Sequence, residues 1–361
     1  MGKPSVVWMV PVENGEDIEE TKQKFGILLQ KSDFQQVMSL QERESIAVKM
    51  HFGEINTSGY IKPPVVKVLI DIIKEQKARP FLAETTAVYI GMRKDAVEHL
   101  EVVSMHGFDF GQVGAPTIIV DGLRGEYSAS VQIDKKHFKE IYVAGGIREV
   151  DGLVGIAHFK GQELVGFGGA LKNIAMGLAS RVGKVRQHMN VKPHVVQERC
   201  IFCQKCIQKC SVNAITERDK KAVIDQDVCI GCGDCVAVCP NLAVGFNWRE
   251  GVIPLEEKMM EYAHGILNMF KKAYFINFAY TITQFCDCMQ GKNPIVVPDV
   301  GILASADPLA LDKATNDLVL ERAGRDIWKE IHPQCDWRRQ IEYAQELGIG
   351  QLEYTIKKIM A

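Results

Sequence analysis

The sequence predicts an α/β domain with a largely parallel sheet, interrupted by a small inserted α+β domain. Three observations predict it. Short apolar runs alternate with helix-like segments up to residue 194. A compact stretch from 195 to 247 then carries eight cysteines in two runs. After residue 248 the strand–helix rhythm resumes and continues to 361. The simplest organisation is one α/β domain made of 1–194 plus 248–361, with 195–247 inserted into it. Such an insertion is tolerated where its ends lie close together at the surface. The alternative is two separate α/β lobes flanking the insert.

Taken in order, Ser5–Val12 is rich in β-formers, and Asp17–Lys31 carries apolar residues at helical spacing. Ile46–Phe52 reads as a second strand. A helix opens at Pro63-Pro64, residues suited to a first helical turn. Pro80–Ala83 is a short strand and Arg93–His106 a helix. Three apolar runs follow, APTIIVDGL, EIYVAGGIREV and DGLVGIAHFKG. Beyond the insert come a helix at Pro254–Lys272, the strand AYFINFAYTI and a strand across IVVPDVGILASAD. Leu309–Ala323 is helical, Ile327–Leu347 is a helical tract broken at Pro333, and Leu352–Ile359 is the last strand. In parallel sheets functional residues gather at the carboxyl ends of strands. Here those ends carry Lys49, His51, Glu84, Thr85, Asp121, His158 and Lys160.

The two cysteine runs each read C-x2-C-x2-C-x3-C: Cys200, Cys203, Cys206 and Cys210, then Cys229, Cys232, Cys235 and Cys239. This is the spacing of a bacterial two-cluster ferredoxin, in which the fourth cysteine of each run ligates the cluster of the other. Two 4Fe-4S clusters are therefore expected, one on Cys200, Cys203, Cys206 and Cys239, the other on Cys229, Cys232, Cys235 and Cys210. Three thiolates two residues apart let one tight loop hold three corners of a cube, and the crossed fourth ligand ties the halves together. Zinc has no use for a third cysteine and an x3 partner twice over. Pro240 follows Cys239, whereas Ser211 follows Cys210, a departure that touches local geometry rather than ligation. Arg199, Lys205, Lys209, Lys220 and Lys221 make the first half of the insert basic, and Asp225, Asp227 and Asp234 make the second acidic. That asymmetry can orient a redox partner or be a plain solvated surface.

Composition narrows the classes. The 361 residues are 47% hydrophobic, enough for a sizeable core, and the net charge of −2 argues against a general nucleic-acid surface. The first residues, MGKPSVVWMV, run straight into polar VENGED and read as a strand rather than a signal peptide. No apolar window of about eighteen residues predicts a membrane span. Eleven cysteines without a secretion signal point to reduced thiols and metal in the cytoplasm.

Elsewhere, GQELVGFGGALKNIAMG places glycines before an Ala-rich helix starting near Ala170, with Lys172 and Asn173 beside its first turn. Backbone amides at such a start can hold an anion; the glycines can equally serve close helix–sheet packing. Cys286 and Cys288 flank Asp287 just past a strand, where a C-x-C pair offers a metal site or a redox thiol. On a strand, side chains two apart point the same way but too far apart for a comfortable disulfide. Cys335 reads as structural, and His99, His137 and His264 as surface or core residues. His51 and His158 differ, since each ends an apolar strand near a lysine and a glycine.

The segments KMHFGE, FLAETTAVY, HFKG with GFGGALKNIAMG, the twin cysteine runs, FCDCM and DVGILASADPLALDKA resemble the uncharacterised iron–sulfur-centre proteins of domain-of-unknown-function family 362, in their ferredoxin-containing form. The resemblance covers nearly the whole chain. It implies an α/β domain of unassigned activity carrying a two-cluster ferredoxin, typical of anaerobes. Gln162 stands where the resemblance leads one to expect a histidine after HFKG. Two functions follow. The first is a redox enzyme whose clusters relay electrons to a site built from Lys49, His51, His158, Lys160, Lys172, Asn173, Cys286, Asp287 and Cys288. Its histidines would supply protons, its lysines would bind a small anionic substrate, and its C-x-C pair would hold a metal or attack covalently. The second is a non-catalytic electron carrier or assembly factor that docks on a redox partner protein.

Overall fold

The computed structural model describes residues 3–89, 91–188, 192–229, 233–245, 255–289, 291 and 293–360. Cys232, the helix start expected at Pro254 and the domain border expected at 247/248 lie outside them. Eight strands form one sheet: β1 Ser5–Pro11, β2 Ser45–Lys49, β3 Arg79–Glu84, β4 Thr117–Ile119, β5 Gly152–His158, β6 Ala273–Ala279, β7 Gly301–Ser305 and β8 Tyr354–Lys358. Their order is β8-β1-β7-β6-β5-β2-β3-β4. Of the eight, β7 alone runs antiparallel to its neighbours. The cause is its connection. The chain returns from β6 to β7 through the small pair Ile282–Thr283 and Ile295–Val297, without a crossover helix, and a parallel partner would require one. The run IVVPDVGILASAD, read as one strand, is accordingly split at Pro298-Asp299 into Ile295–Val297 and β7.

Strands from both sides of residues 195–247 join this sheet, β1–β5 from before and β6–β8 from after. Alternation along the strands fills two cores. In β7, Leu303 faces one core while Ile302 and Ala304 face the other; in β2, Ala47 opposes Ile46 and Val48 in the same way. One core packs beneath the helices Ala170–Gly177, Leu255–Leu267, Pro308–Ala323 and Trp337–Glu346. The other packs beneath Ile18–Lys31 and Pro63–Glu75. The result is a helix–sheet–helix sandwich.

Some boundaries differ from the sequence reading in ways that matter for the site. Asp17 caps its helix, its carboxylate accepting from the Glu19 and Glu20 amides. The helix expected from Arg93 begins only at Ala96, capped by Asp95, which leaves Arg93 in the preceding loop. The tract 327–347 is two helices, Ile327–Ile331 and Trp337–Glu346.

Residues 192–245 build a separate small unit. It has two strand pairs, His194–Val195 with Val244–Gly245 and Ile215–Arg218 with Lys221–Ile224, and two five-residue helices, Lys205–Lys209 and Asp234–Val238. Its core comprises Cys200, Cys206, Cys235 and Cys239 with a few aliphatic residues, and it takes in Val88 and Val185 from the α/β body. Among the described residues no helix is long and apolar enough to cross a membrane.

The loop that carries Cys286 is fixed by a close approach. A methyl group on Gly161 would overlap the backbone carbonyl of Gln284. Gly161→Ala is therefore expected to displace the 284–288 segment and cost about 1–3 kcal/mol. Chemical denaturation of the variant against the wild type measures this.

Candidate functional site

The ends of β2, β3 and β5 converge with the loops after them on a buried cluster of charges. Glu84, closing β3, lies between two cations. Its Oε1 pairs with Lys49 Nζ at the end of β2, and its Oε2 accepts from Arg93 Nη2 at 2.8 Å. All three side chains are at most 4% exposed. Burial alone would raise the Glu84 carboxyl, but Lys49 and Arg93 overcome it and hold it down at about 2. Burial brings Lys49 down to about 8 against the opposing pull of Glu84. Lys49 Nζ also donates to Asn173 Oδ1 at 3.0 Å, and Asn173 Nδ2 donates to the carbonyls of Lys49 and Ile156.

Arg93 is the hub of the cluster. Beyond Glu84, its Nη1 reaches His51 Nε2 at 2.6 Å and Tyr89 Oη at 3.0 Å, and its Nε donates to His99 Nε2 at 3.0 Å. The other nitrogen of His51 receives the Gly53 amide at 2.9 Å. Donors thus face both nitrogens, and a neutral ring, with one N–H of its own, can accept from only one of them. Burial, then Arg93 and three lysines, push its pKa well below the usual histidine range.

A second group adjoins the first through Lys172, next in sequence to Asn173. Cys286 opens a turn closed by the Met289 amide on the Cys286 carbonyl at 2.9 Å, and the turn brings the Cys288 thiol onto the Cys286 sulfur. That hydrogen bond, helped by Lys172 and Lys160, overcomes burial and holds Cys286 well below the ordinary thiol pKa. The same bond, with burial, pushes Cys288 well above it. Lys172 Nζ lies 3.7 Å from the Cys286 sulfur, a thiolate–ammonium pair. Asp287, between the cysteines, meets His158 Nδ1 at 2.9 Å and Lys160 Nζ at 3.9 Å. His158 Nε2 faces the carbonyls of Tyr280 and Thr281 at 3.2 and 3.1 Å. Oxygens therefore face both nitrogens of this ring. Burial alone would raise the Asp287 carboxyl, but His158 and Lys160 bring it below its usual value. Two buried carboxylate oxygens beside these groups, Asp287 Oδ1 and Glu54 Oε2, have no hydrogen-bond partner among the described residues. Gly59 and Gly91 lie against them, where any larger side chain would intrude.

In the small unit, Cys200, Cys203, Cys206 and Cys239 line one cavity. These are the three cysteines of the first run and the last of the second, the crossed set. Backbone amides donate to the sulfurs in matching fashion: Ala214 to Cys210 and Ala243 to Cys239, each at 3.2 Å and four residues on, with Ala222 to Cys200 at 3.5 Å. Thiolates that accept amide hydrogen bonds suit an iron–sulfur cluster, whose potential such bonds tune.

A family model described as a domain of unknown function, DUF362, matches residues 46–317. The chain belongs to the DUF362 family. A protein named Ferredoxin 7Fe from Hydrogenibacillus schlegelii is 38% identical over 81 residues, 22% of this chain and 97% of that ferredoxin. Together with the two cysteine runs, this likeness points to iron–sulfur binding. Among solved structures, the lactate racemase apoprotein from Thermoanaerobacterium thermosaccharolyticum aligns over 75% of this chain and 50% of its own, with 11% identity and a TM-score of 0.40. A protein from Thermotoga maritima aligns over 93% and 61%, with 12% identity and a TM-score of 0.41. The chain thus spans half to three-fifths of those two structures, and neither likeness is close enough to bear on function.

The DUF362 span contains the whole buried cluster. The nine residues singled out in the sequence fall in these two adjoining groups, Lys49, His51 and Asn173 in the first and His158, Lys160, Lys172, Cys286, Asp287 and Cys288 in the second. Several readings need correcting. Among the described residues no group of three or more His, Cys, Asp or Glu, in the cysteine-rich unit or at Cys286 and Cys288, stands close enough together to hold a single metal ion. What faces Cys286 is the Lys172 ammonium. The C-x-C pair lies in a turn, not on a strand, and so its thiols meet. The helix start at Ala170 already has its anion, because the Asp312 carboxylate accepts the Ala170 and Leu171 amides at 2.8 and 2.9 Å. Gln162 has a local duty, its Oε1 accepting the Leu164 and Val165 amides. His99 is in the core as read, but it also holds Arg93. Sequence reasoning passed over Arg93, Tyr89 and Glu54, which sit in loops without periodicity. Their one signal is polar residues crowded around strand ends.

Two outcomes follow. Glu84→Gln strands Lys49 and Arg93 in the interior and is expected to cost about 3–5 kcal/mol. Because the Glu84 pKa is depressed, its contribution is full above about 4.5 and fades as pH falls toward about 2. The stability gap between wild type and variant, measured by denaturation at several pH values, should therefore narrow in acid. Lys172→Gln removes the cation facing Cys286. The pH midpoint of Cys286 alkylation, followed by peptide mass spectrometry, should then rise by about 1–3 pH units.

Proposed function

We propose that this chain is an iron–sulfur redox protein that passes electrons between clusters held in its cysteine-rich unit and the buried thiolate–lysine site of its α/β body. Cys200, Cys203, Cys206 and Cys239 would hold one cluster. Cys210, Cys229, Cys235 and, outside the described residues, Cys232 would hold the other. A cubane held there supplies one-electron transfer at a potential set by its hydrogen bonds and exposure.

The observation that carries the reading is the course of one strand-end segment. Val88 packs inside the cysteine core. The next residue, Tyr89, accepts from Arg93 and lies within electrostatic reach of both Cys286 and Cys288. One stretch of chain thus leads from the cysteine core toward the thiolate pair. At the far end, Lys172 and Lys160 stabilise negative charge, and the Cys288 thiol holds a proton on the Cys286 sulfur. Asp287 Oδ1 and Glu54 Oε2 offer acceptors to a substrate's hydroxyl, amine or ammonium group. In this reading Lys49, His51 and Asn173 position the cluster of charges, and Cys286, Lys172 and Cys288 meet the substrate.

The test is made on anaerobically purified protein. Iron is expected at about eight per chain. Alkylation of the Cys286–Cys288 pair should differ at least about threefold between oxidised and dithionite-reduced protein, since a charge change nearby alters thiolate content. Cys239→Ser should abolish that difference. Equal alkylation in both states would overturn the relay and leave a simple electron carrier.

A further inference from the structure

A cleft of about 870 Å³ opens between the cysteine-rich unit and the α/β body. Small-molecule sites commonly measure roughly 300–1,000 Å³. Six basic residues line it: Lys94, Arg124, Arg181, Arg186, Lys205 and Lys209. They come from four places, the loop after β3, the loop after β4, the helix Arg181–His188, and the helix Lys205–Lys209. Cys239 lines the same cleft and also the cysteine cavity.

Three carboxylates share the lining, and each is already engaged. Asp95 caps its own helix through the Glu98 amide at 3.0 Å. Glu126 accepts the Arg124 amide at 2.6 Å. Asp234 stands 3.7 Å from Arg186. Among the described residues no carboxylate forms an ion pair with Arg124, Arg181, Lys205 or Lys209.

Arg181 is the decisive group. It is only 6% exposed, its Nη1 donates to the Lys94 carbonyl at 2.8 Å, and its buried Nε has no partner. Asp121, Asp95 and Cys239 act on it from a distance, but none forms an ion pair with it, and a buried guanidinium without a direct partner leaves room for an anion to bind. Gly125, at φ +79°, brings its loop onto the Arg181 stem where a side chain would collide. The guanidinium is therefore held in place from behind.

We propose that this cleft binds a small molecule carrying two or more phosphate or carboxylate groups, and holds it against Cys239. The binding stands on the cleft alone. Its redox meaning rests on the reading of Cys239 as a cluster ligand.

The experiment is calorimetric titration of the full chain, purified anaerobically with its iron. The probes are fructose 1,6-bisphosphate and, separately, tricarballylate, each at low and at physiological salt. At least one probe is expected to bind one-to-one, more weakly at the higher salt. Arg124→Glu and Lys209→Glu, both at exposed positions, should each weaken it by about tenfold or more, with iron content and visible spectrum unchanged. Lys67→Glu, on the helix Pro63–Glu75 away from the cleft, should leave it unaltered. Binding of the bisphosphate alone assigns phosphate groups, and binding of tricarballylate alone assigns carboxylates. No heat with either probe, or undiminished affinity in both reversal variants, overturns the proposal. Iron absent from the purified protein while a probe still binds would sink the redox reading and keep the cleft.

Discussion

The buried carboxylate of Glu84 is the constraint on which the rest of this molecule depends. Two parallel strands end side by side, and each delivers a charged side chain into an interior closed to water. Lys49 and Arg93 are tolerable there because Glu84 uses one oxygen for each. The arrangement then propagates. With Arg93 fixed, its remaining donors orient His51, Tyr89 and His99. With Lys49 fixed, Asn173 is drawn across to β2 and β5. The preceding residue, Lys172, is then carried over Cys286. A single carboxylate thus registers the loop after β3 and the helix Ala170–Gly177 against one another. The register of Cys286 follows from that.

The cysteine unit obeys a different logic. Residues 192–245 have short strands, five-residue helices and a core of few aliphatic side chains. A unit of this size has too little apolar area to hold its shape by burial alone. Metal ligation would supply the missing stabilisation, and the crossed set around one cavity is the geometry that ties both halves together. Val88 and Val185 enter that core from outside, so the unit is docked on the α/β body by packing and not only joined to it by chain.

Much of this was legible in the sequence, for identifiable reasons. Strand ends announce themselves where an apolar run meets a polar residue, so Lys49, His51 and His158 stood out, and cysteine spacing is a ligand pattern in its own right. What was not legible depended on loops and on partners distant in sequence. Arg93 reads as a helical residue until Asp95 is seen to take the cap two positions later. Asp312 sits mid-helix, 142 residues from the amide it receives, and nothing local marks it as the anion for Ala170. The C-x-C pair was placed just past a strand with no disulfide expected, and it lies there in a turn with both cysteines free. The antiparallel β7 escaped notice because Pro298-Asp299 was read as part of one strand, although proline in a central strand argues for a break.

The buried cluster also limits which of its members can move a proton near neutral pH. Glu84, held at about 2, keeps its negative charge throughout that range. Burial and Arg93 hold His51 well below the usual histidine range, so it does not become an imidazolium. His158 is fixed between Asp287 and two backbone carbonyls. Two groups remain. Lys49, brought to about 8, exchanges its proton within reach of physiological pH, but its ammonium is held by Glu84 and Asn173. The Cys288 thiol lies beside Cys286 and the two titrate together. Were charge to build on Cys286, Cys288 would be the thiol nearest it and Lys172 the cation beside it. The division of labour resembles that of an acid beside a nucleophile, here assigned to two thiols of unlike pKa set apart by one turn of chain.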